Sequence, residues 1–147
     1  MAIEIRILQA QDASILNNVA SDVFDDPIVP PAVQEFLSSP HHNLAVALDQ
    51  GVVIGFASAV QYFHPDKLHP ELWVNEVGVS PSHHNRGIGK ALMNALFEAA
   101  QNAGCAEAWV LTERKNAPAM RLYKSVGGHE EQDDTVMFTF KLGAVAD

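Results

Sequence analysis

Two glycines, Gly87 and Gly89, stand where a strand-like pattern gives way to a helical one. The strand pattern covers residues 75–79, a Ser-Pro pair ends it, and apolar residues recur at helical spacing from Ile88 onwards. Free backbone N–H groups at a helix N-terminus, with the positive end of the helix dipole behind them, bind anionic oxygens. Glycines there let a phosphate approach the main chain without a Cβ in the way. The stretch therefore predicts a pyrophosphate site at the start of this helix.

A second strand and helix lie downstream of the first pair. Residues 106–112 (AEAWVLT) indicate a buried strand, and Asn116 then stands as the N-cap of a helix with Pro118 in its first turn. The pair Gly127-Gly128 predicts the end of that helix.

Both units resemble motifs of one protein family. The run HNRGIG at residues 84–89 is similar to motif A of the GNAT family of N-acetyltransferases, (Arg/Gln)-x-x-Gly-x-(Gly/Ala), and residues 112–128 (TERKNAPAMRLYKSVGG) resemble motif B. His84 takes the place of the family's Arg or Gln, and Arg86 and Lys90 could supply positive charge instead. The resemblance implies an acyltransferase that moves an acetyl group from acetyl-CoA to an amine.

The resemblance also implies which residues bind acetyl-CoA. The main chain of residues 77–79 would bond the pantetheine arm and hold the acetyl oxygen, in a gap between the motif A strand and its neighbour. Gly78 suits a close backbone approach, although a plain bulge is the alternative, and Asn116 acts mainly as the helix cap. The expected cofactor-binding residues are Val77, Gly78, Val79, His84, Asn85, Arg86, Gly87, Ile88, Gly89, Lys90, Asn116, Ala119 and Tyr123.

Two side chains are candidates for the proton transfers. Tyr123 matches the family's usual general acid, and a phenol of pKa ~10 can protonate a thiolate whose conjugate acid lies near ~8.5. The alternative for Tyr123 is a core aromatic on an amphipathic helix. Glu76 is the candidate base, because it shares one strand face with Gly78, and a carboxylate within an apolar run needs a reason. A salt-bridged structural glutamate, an acceptor-binding group, and proton loss through water are the alternatives.

Charge divides the chain into three segments. Residues 1–85 carry a net charge of −8, residues 86–124 carry +3, and residues 125–147 carry −4. The positive segment is the one that the motifs assign to an anionic cofactor. The acidic remainder suits a cationic acceptor and makes nucleic acid a poor partner. A surface that is acidic only for solubility is the alternative.

The acceptor is predicted from these charges and from a closer resemblance. Residues 23–27, 45–60 and 72–79 resemble the aminoglycoside 3-N-acetyltransferases of type I, which modify polycationic antibiotics. The preferred acceptor is therefore an aminoglycoside, with a polyamine or a protein or peptide amine as the alternative, and an acetyl-CoA-binding module without turnover as the non-enzymatic one. The expected substrate-binding residues are Asp25, Asp26, Glu76, Asp133 and Asp134.

The remaining patterns complete a single-domain α/β fold. The predicted order over residues 1–147 is β-α-α-β-β-β-α-β-α-β, which is the order expected of the family. The resemblance implies a mixed, mainly antiparallel sheet with helices on both faces. The predicted order begins with a strand at 3–8 and a helix of about ten residues capped by Asp12, and it ends with a strand at 135–142. The resemblance implies pairing through the strands that end the chain, and the apolar run in this last strand is of the kind that pairs or needs cover, so a homodimer is expected.

The histidine, cysteine and hydropathy patterns argue against a metal site, a cysteine nucleophile and a membrane segment. The pairs His41-His42 and His83-His84 should point in different directions, and their spacing is not that of a metal site, so no metal is expected. The single cysteine, Cys105, is expected to be a small buried residue rather than a nucleophile. No apolar run is long enough for a membrane span, and no secretion signal is recognised, so the expected location is the cytoplasm, without a membrane partner.

Overall fold

The computed structural model describes residues 2–132 and 134–143. Its strands and helices follow one another in the predicted order as far as the last helix. The strands are β1 (Glu4–Ile7), β2 (His42–Asp49), β3 (Val52–Tyr62), β4 (Glu71–Val79) and β5 (Glu107–Val110). The α-helices are α1 (Pro30–Ser38), α2 (Ile88–Asn102) and α3 (Ala117–Ser125), and 3-10 helices span Ala10–Asn17 and Pro81–His83.

One five-stranded sheet carries the fold, with the spatial order β1-β2-β3-β4-β5. Strands β1 to β4 pair antiparallel in sequence, and β5 pairs parallel to β4. The turn between β2 and β3 is a two-residue hairpin in which Gln50 and Gly51 both have positive φ, 51° and 79°. The mixed, mainly antiparallel sheet is thus as predicted.

Helices cover both faces of the sheet, as the family resemblance implied. On one face α2 buries Leu92, Met93 and Leu96 against Leu72 and other strand residues. On the other face the first 3-10 helix and α1 bury Leu16 and Leu37 against the β2–β3 hairpin. Each layer supplies its own apolar cluster, so the sheet is held on both sides.

A bulge in β4 changes which side chains face α2. Ser58 pairs with Glu76 and Ala59 with Val74, so Asn75 is an extra residue on β4. Val74 and Val77 therefore both pack in the core on the α2 face, while Glu76 turns to the opposite face. The bulge lies where β5 ends, because the β4–β5 pairing covers only Glu71–Val74. Beyond it β4 continues alone on that side, which is the predicted gap between the two strands.

The first predicted helix differs in type and extent. Its residues form a 3-10 helix that ends at Asn17, and its N-cap is Gln9, whose N–H donates to Asp12 at 2.9 Å in a capping box. Val19 lies beyond it in a parallel bridge with Val53. The Ala20 N–H donates to the Val53 carbonyl at 2.9 Å, so the backbone pairs with β3 there and does not continue the helix.

The C-terminal part also differs from the prediction. Strand β5 has exposed or half-buried residues throughout, so it is not the buried strand expected at 106–112. Residues 134–143 form no strand in the described part of the chain, and the large apolar side chains of this segment are 68–93% exposed. A strand needs a hydrogen-bonding neighbour as well as a suitable pattern. The apolar run alone does not supply one.

Two glycines end α3. Gly127 has φ 92°, and the Gly128 N–H donates to the Tyr123 carbonyl at 2.9 Å, which ends the helix at the predicted position.

Among the described residues, we find no helix that is both long and apolar enough to cross a membrane.

Candidate active site

The loop before α2 has the backbone of an anion-binding site. Asn85 and Gly87 have left-handed backbone conformations, with φ 62° and 75°, and Gly87 is the N-cap of α2. The first bond of the helix runs from the Ala91 N–H to the Gly87 carbonyl at 3.1 Å. The N–H groups of residues 88–90 precede it and have no partner within the helix. They point out of the helix start, with its dipole behind them.

The two motif A glycines have different physical reasons. A Cβ on Gly87 would meet nothing within 4 Å, so the space in front of this residue is open to a ligand. A Cβ on Gly89 would lie 3.3 Å from Leu122 of α3. Gly87 therefore provides the turn and the open approach, while Gly89 allows α2 and α3 to pack closely. This packing brings motif B next to motif A.

The side chain of His84 connects the loop to the end of β4 by a hydrogen bond. Its Nε2 lies 2.8 Å from the carbonyl oxygen of Val79. Because a carbonyl only accepts, Nε2 carries the proton and Nδ1 is left for other contacts. His84 thus ties the loop to the end of β4. The side chains of Arg86 and Lys90 are exposed beside it and are placed to add positive charge.

Gly78 lies at a close approach, but to the protein itself. A Cβ there would be 2.5 Å from the carbonyl oxygen of Val23 and 2.9 Å from the Phe56 ring. The main chain at Gly78 is thus close to the main chain at Val23, and the bulge lies at Asn75 instead of Gly78. The unpaired side of β4 at residues 77–79 leaves main-chain groups facing the gap beside β5.

Tyr123 lies on the half-buried side of α3. It packs against the core cluster that contains the first turn of α2. Burial raises the pKa of its phenol above the ordinary value of 10.0, so the hydroxyl keeps its proton at neutral pH. Asn116 caps the same helix, its Oδ1 accepting from the Ala119 N–H at 3.2 Å. The structural role predicted for Asn116 is confirmed.

An acidic cavity opens on the sheet face opposite to α2. Its volume is about 330 Å³, and Asp25, Asp26 and Glu76 line it. Most of its remaining lining is apolar, including Phe24 and Phe56, whose rings stack at 3.9 Å between centroids. The cavity therefore combines a flat apolar wall with carboxylates, which suits a cation with an organic framework.

The described residues of the acidic tail do not line this cavity. Asp134 is exposed, Asp133 lies outside the described residues, and Glu130 forms an ion pair with Arg114. Of the five predicted acceptor-binding carboxylates, the structure thus brings together Asp25, Asp26 and Glu76. Phe24 and Phe56 were not predicted. The position of Phe24 next to the acidic pair is the one sequence signal that could have indicated its place.

Two further expectations concern histidine and cysteine. The rings of His83 and His84 bond Asp49 and Val79 respectively, so the neighbouring pair does point in different directions. No group of three or more potential metal-ligating side chains occurs within residues 2–132 and 134–143. Cys105 is half-buried, and burial raises the pKa of its thiol, which disfavours the reactive thiolate.

This fold and site define a class of protein. Its mixed sheet opens between β4 and the edge strand β5, beside the glycine-rich start of α2. The chain belongs to the Acetyltransferase (GNAT) family, whose model matches residues 13–127. It is accordingly an enzyme that transfers acetyl groups to amines, and acetyl-CoA is its co-substrate. Open space at Gly87 and free N–H groups at the α2 start fit a pyrophosphate there.

Characterised relatives differ in the acceptor that their names state. The N-alpha-acetyltransferase RimI of Mycobacterium tuberculosis is 32% identical over 127 residues, covering 85% of this chain and 77% of that protein. The aminoglycoside N(6')-acetyltransferase type 1 of Salmonella typhimurium is 28% identical over 102 residues, covering 67% and 70%. The family is therefore shared with both peptide and antibiotic acetyltransferases.

Solved structures share the fold across almost the whole chain. Aminoglycoside acetyltransferase HMB0005, from an uncultured soil metagenomic sample, superposes with a TM-score of 0.80 at 21% identity and covers 97% of this chain and 100% of its own. AAC(6')-Iy in complex with a bisubstrate analogue gives 0.78 at 22% identity, with the same coverage. At these identities the likeness concerns the fold.

Proposed function

We propose that this acetyltransferase acts on an amino group of a cationic small molecule, with an aminoglycoside as the preferred acceptor. The observation that carries the proposal is the cavity lined by Asp25, Asp26 and Glu76. Carboxylates concentrate ammonium groups at a site, and a stacked aromatic wall accepts the face of a ring. The likeness to an aminoglycoside N(6')-acetyltransferase supports this acceptor class.

Regiochemistry is the finer part of the proposal. Local sequence likeness favoured 3-N-acetylation, whereas the relative and the fold neighbour reported above carry the 6' position in their names. Both positions are amines on a polycationic framework, so the cavity carboxylates serve either. Product analysis on an acceptor with both amines distinguishes them.

Three groups of the chain would divide the chemistry. Bound acetyl-CoA supplies the thioester whose acetyl group is transferred. Glu76 faces the acceptor cavity and would take the proton of the ammonium group, directly or through water. The Tyr123 hydroxyl would hold the proton that the departing sulfur needs, and its raised pKa keeps it protonated. Main-chain groups of residues 77–79 would hold the acetyl group in place.

A peptide N-terminus is the second candidate acceptor. It is favoured by the RimI likeness, which extends over 85% of this chain. An α-ammonium group is also a cation, so the same carboxylates would hold it. A peptide differs in needing a groove for its extended main chain, while an aminocyclitol needs a wider and more acidic cavity.

An acceptor panel tests the proposal. Release of free thiol from acetyl-CoA is measured with aminoglycosides, polyamines and N-terminal peptides, and we expect the largest kcat/KM with an aminoglycoside. Glu76→Gln serves as the matched variant, because it keeps the size of the side chain and removes its charge. A larger kcat/KM with peptides than with aminoglycosides would make a peptide the acceptor. If no amine causes thiol release, the chain would be an acetyl-CoA-binding module without turnover.

A homodimer and a cytoplasmic location are also proposed. The exposed apolar side chains of residues 136–142 form a segment that a second copy of the chain could cover. Light scattering at micromolar concentration tests the dimer, and a monomeric mass would overturn it. Replacing Phe138 and Phe140 by Ser should then yield monomers that still bind acetyl-CoA.

A further inference from the structure

A chain of polar side chains outside the predicted site runs along the loop that precedes α2. Ser80 Oγ lies 3.0 Å from Ser82 Oγ, which lies 2.7 Å from Nδ1 of His83. On the other side of the ring, His83 Nε2 lies 2.8 Å from Asp49 Oδ2. The chain therefore links the phosphate-binding loop to the β2–β3 hairpin, 34 residues away in sequence.

Acceptor and donor chemistry fixes the direction of these bonds. An ionised carboxylate only accepts, so Nε2 of His83 carries a proton and donates to Asp49. With a neutral ring, Nδ1 then accepts from the Ser82 hydroxyl, and Ser82 accepts from Ser80. Every link is satisfied in this arrangement. His83 is thus oriented from both ring nitrogens, and its side chain is only 14% exposed.

Both ends of the chain are anchored in the sheet. Asp49 is the last residue of β2, directly before the tight turn at Gln50 and Gly51. At the other end Ser80 is buried, and its N–H donates to the Ile54 carbonyl at 2.8 Å. The exposed loop from His84 to Gly87 follows directly after His83. The bond from His83 to Asp49 therefore holds the base of this loop, in addition to the bond from His84 to the Val79 carbonyl.

We propose that Asp49 and His83 are positioning residues for the pyrophosphate of acetyl-CoA. The Asp49 carboxylate holds the His83 ring, and the ring holds the turn from which the chain enters the left-handed residues Asn85 and Gly87. The main-chain N–H groups at the start of α2 are thereby kept in the orientation that a pyrophosphate requires. Neither side chain needs to touch the reacting atoms.

Donor truncation separates this role from a merely structural one. Acetyl-pantetheine carries the thioester but lacks the pyrophosphate, so it does not use the loop. In Asp49→Asn the hydrogen bond from His83 can form only to a neutral amide oxygen. We expect KM for acetyl-CoA to rise about tenfold, the scale of the difference between a charged and a neutral hydrogen bond, with kcat within about twofold. The kcat/KM for acetyl-pantetheine should stay within about twofold of the parent enzyme.

Further variants distinguish a local effect on the loop from a general loss of stability. His83→Gln should show the same split between donors, and the double variant should cost no more than the larger single change, since both residues act in one chain. Asp66→Asn is the matched control, because it removes an exposed carboxylate paired only with its neighbour Lys67. Ser82→Ala, at an exposed position, should raise KM for acetyl-CoA in the same direction by about threefold.

The results that overturn the proposal are equally specific. Equal losses with acetyl-CoA and acetyl-pantetheine would show that Asp49 and His83 support the whole fold and not the loop. Unchanged KM for acetyl-CoA in Asp49→Asn and His83→Gln would show that the loop holds its shape without them. If these two variants fail to fold, an unchanged KM in Ser82→Ala overturns the proposal on its own.

Discussion

The two halves of the proposed active site, one for the cofactor and one for the acceptor, are built by different physical means. The cofactor half uses main-chain N–H groups, left-handed residues at Asn85 and Gly87, and a helix start in the basic segment. The acceptor half uses side chains, the carboxylates of Asp25, Asp26 and Glu76, on a wall of stacked phenylalanines. Main-chain sites tolerate changes of side-chain charge but not of backbone conformation. Side-chain sites should respond in the opposite way.

The largest expected effect concerns the backbone of the cofactor half. Gly87→Val puts a branched side chain on a residue with φ 75° and into the open space before the helix start. We expect the acetyl-CoA-induced rise in melting temperature to be lost. Gly104→Val is the control, since Gly104 also has positive φ, 92°, with nothing within 4 Å of its Cβ position, at the other end of α2. Its loss of stability should leave the acetyl-CoA shift intact, and a shift retained in Gly87→Val would contradict the site.

The next effect concerns the proton at Tyr123. Tyr123→Phe keeps the ring and removes the hydroxyl, so we expect turnover to fall by roughly 10²-fold while acetyl-CoA binding remains. Burial raises the pKa of this phenol above 10.0. In the parent enzyme, kcat should therefore decrease through ionisation of Tyr123 only at pH values above 10. Steady-state kinetics over pH 7–11 measures both.

Tyr62→Phe is the control for that measurement. Tyr62 is hydrogen-bonded to Trp109 and Glu71 on the far part of the sheet, so its loss should lower stability and leave turnover within about twofold. Unchanged turnover in Tyr123→Phe, with chemistry limiting the rate, would make Tyr123 a packing residue.

A smaller effect is expected where the two halves meet. Gly78 separates the main chain of β4 from Val23, and a Cβ would come within 2.5 Å of the Val23 carbonyl. Gly78→Ala should therefore displace the segment that carries Asp25 and lower the free energy of unfolding by about 1–3 kcal/mol. Denaturant unfolding measures the loss. Unchanged stability would mean that the segment before α1 moves aside freely.

The same difference explains what could be predicted from the sequence. Glycines and caps act on their own neighbours, so the α2 start at Ile88, the Asn116 cap and the glycine end of α3 were all predictable. The bulge at Asn75 was not, because it is defined by the pairing of β4 with β3. Nor was the early end of the first helix, since the bridge to Val53 forms across the sheet.

The acceptor half was predictable only in part. Charge counting indicated acidic residues, and Asp25 and Asp26 do line the cavity with Glu76. The tail was predicted to contribute through its acidic charge, but Asp134 is exposed and does not line the cavity. Charge alone does not show which carboxylates lie together, because that depends on contacts such as Gly78 with Val23 and Phe24 with Phe56.

The smallest expected effect tests the acceptor half through charge. The double variant Asp25→Asn/Asp26→Asn should raise the acceptor KM about three- to tenfold and leave KM for acetyl-CoA almost unchanged, because the proposed cofactor site lies on the basic segment. The matched control is Glu131→Gln/Asp134→Asn, which removes two exposed charges from the tail. Initial rates with the best acceptor measure both.

Added salt should imitate the cavity variant, since the Debye length falls to about 8 Å at physiological ionic strength and charges at an open rim are screened. The parent enzyme should therefore lose acceptor affinity as salt rises, and the Asp25/Asp26 variant should lose less, because part of the screened attraction is already gone. The tail variant should follow the parent at every salt concentration. An equal salt response in all three proteins would assign the acidic balance to solubility, and the case for a polycationic acceptor would then rest on family likeness alone.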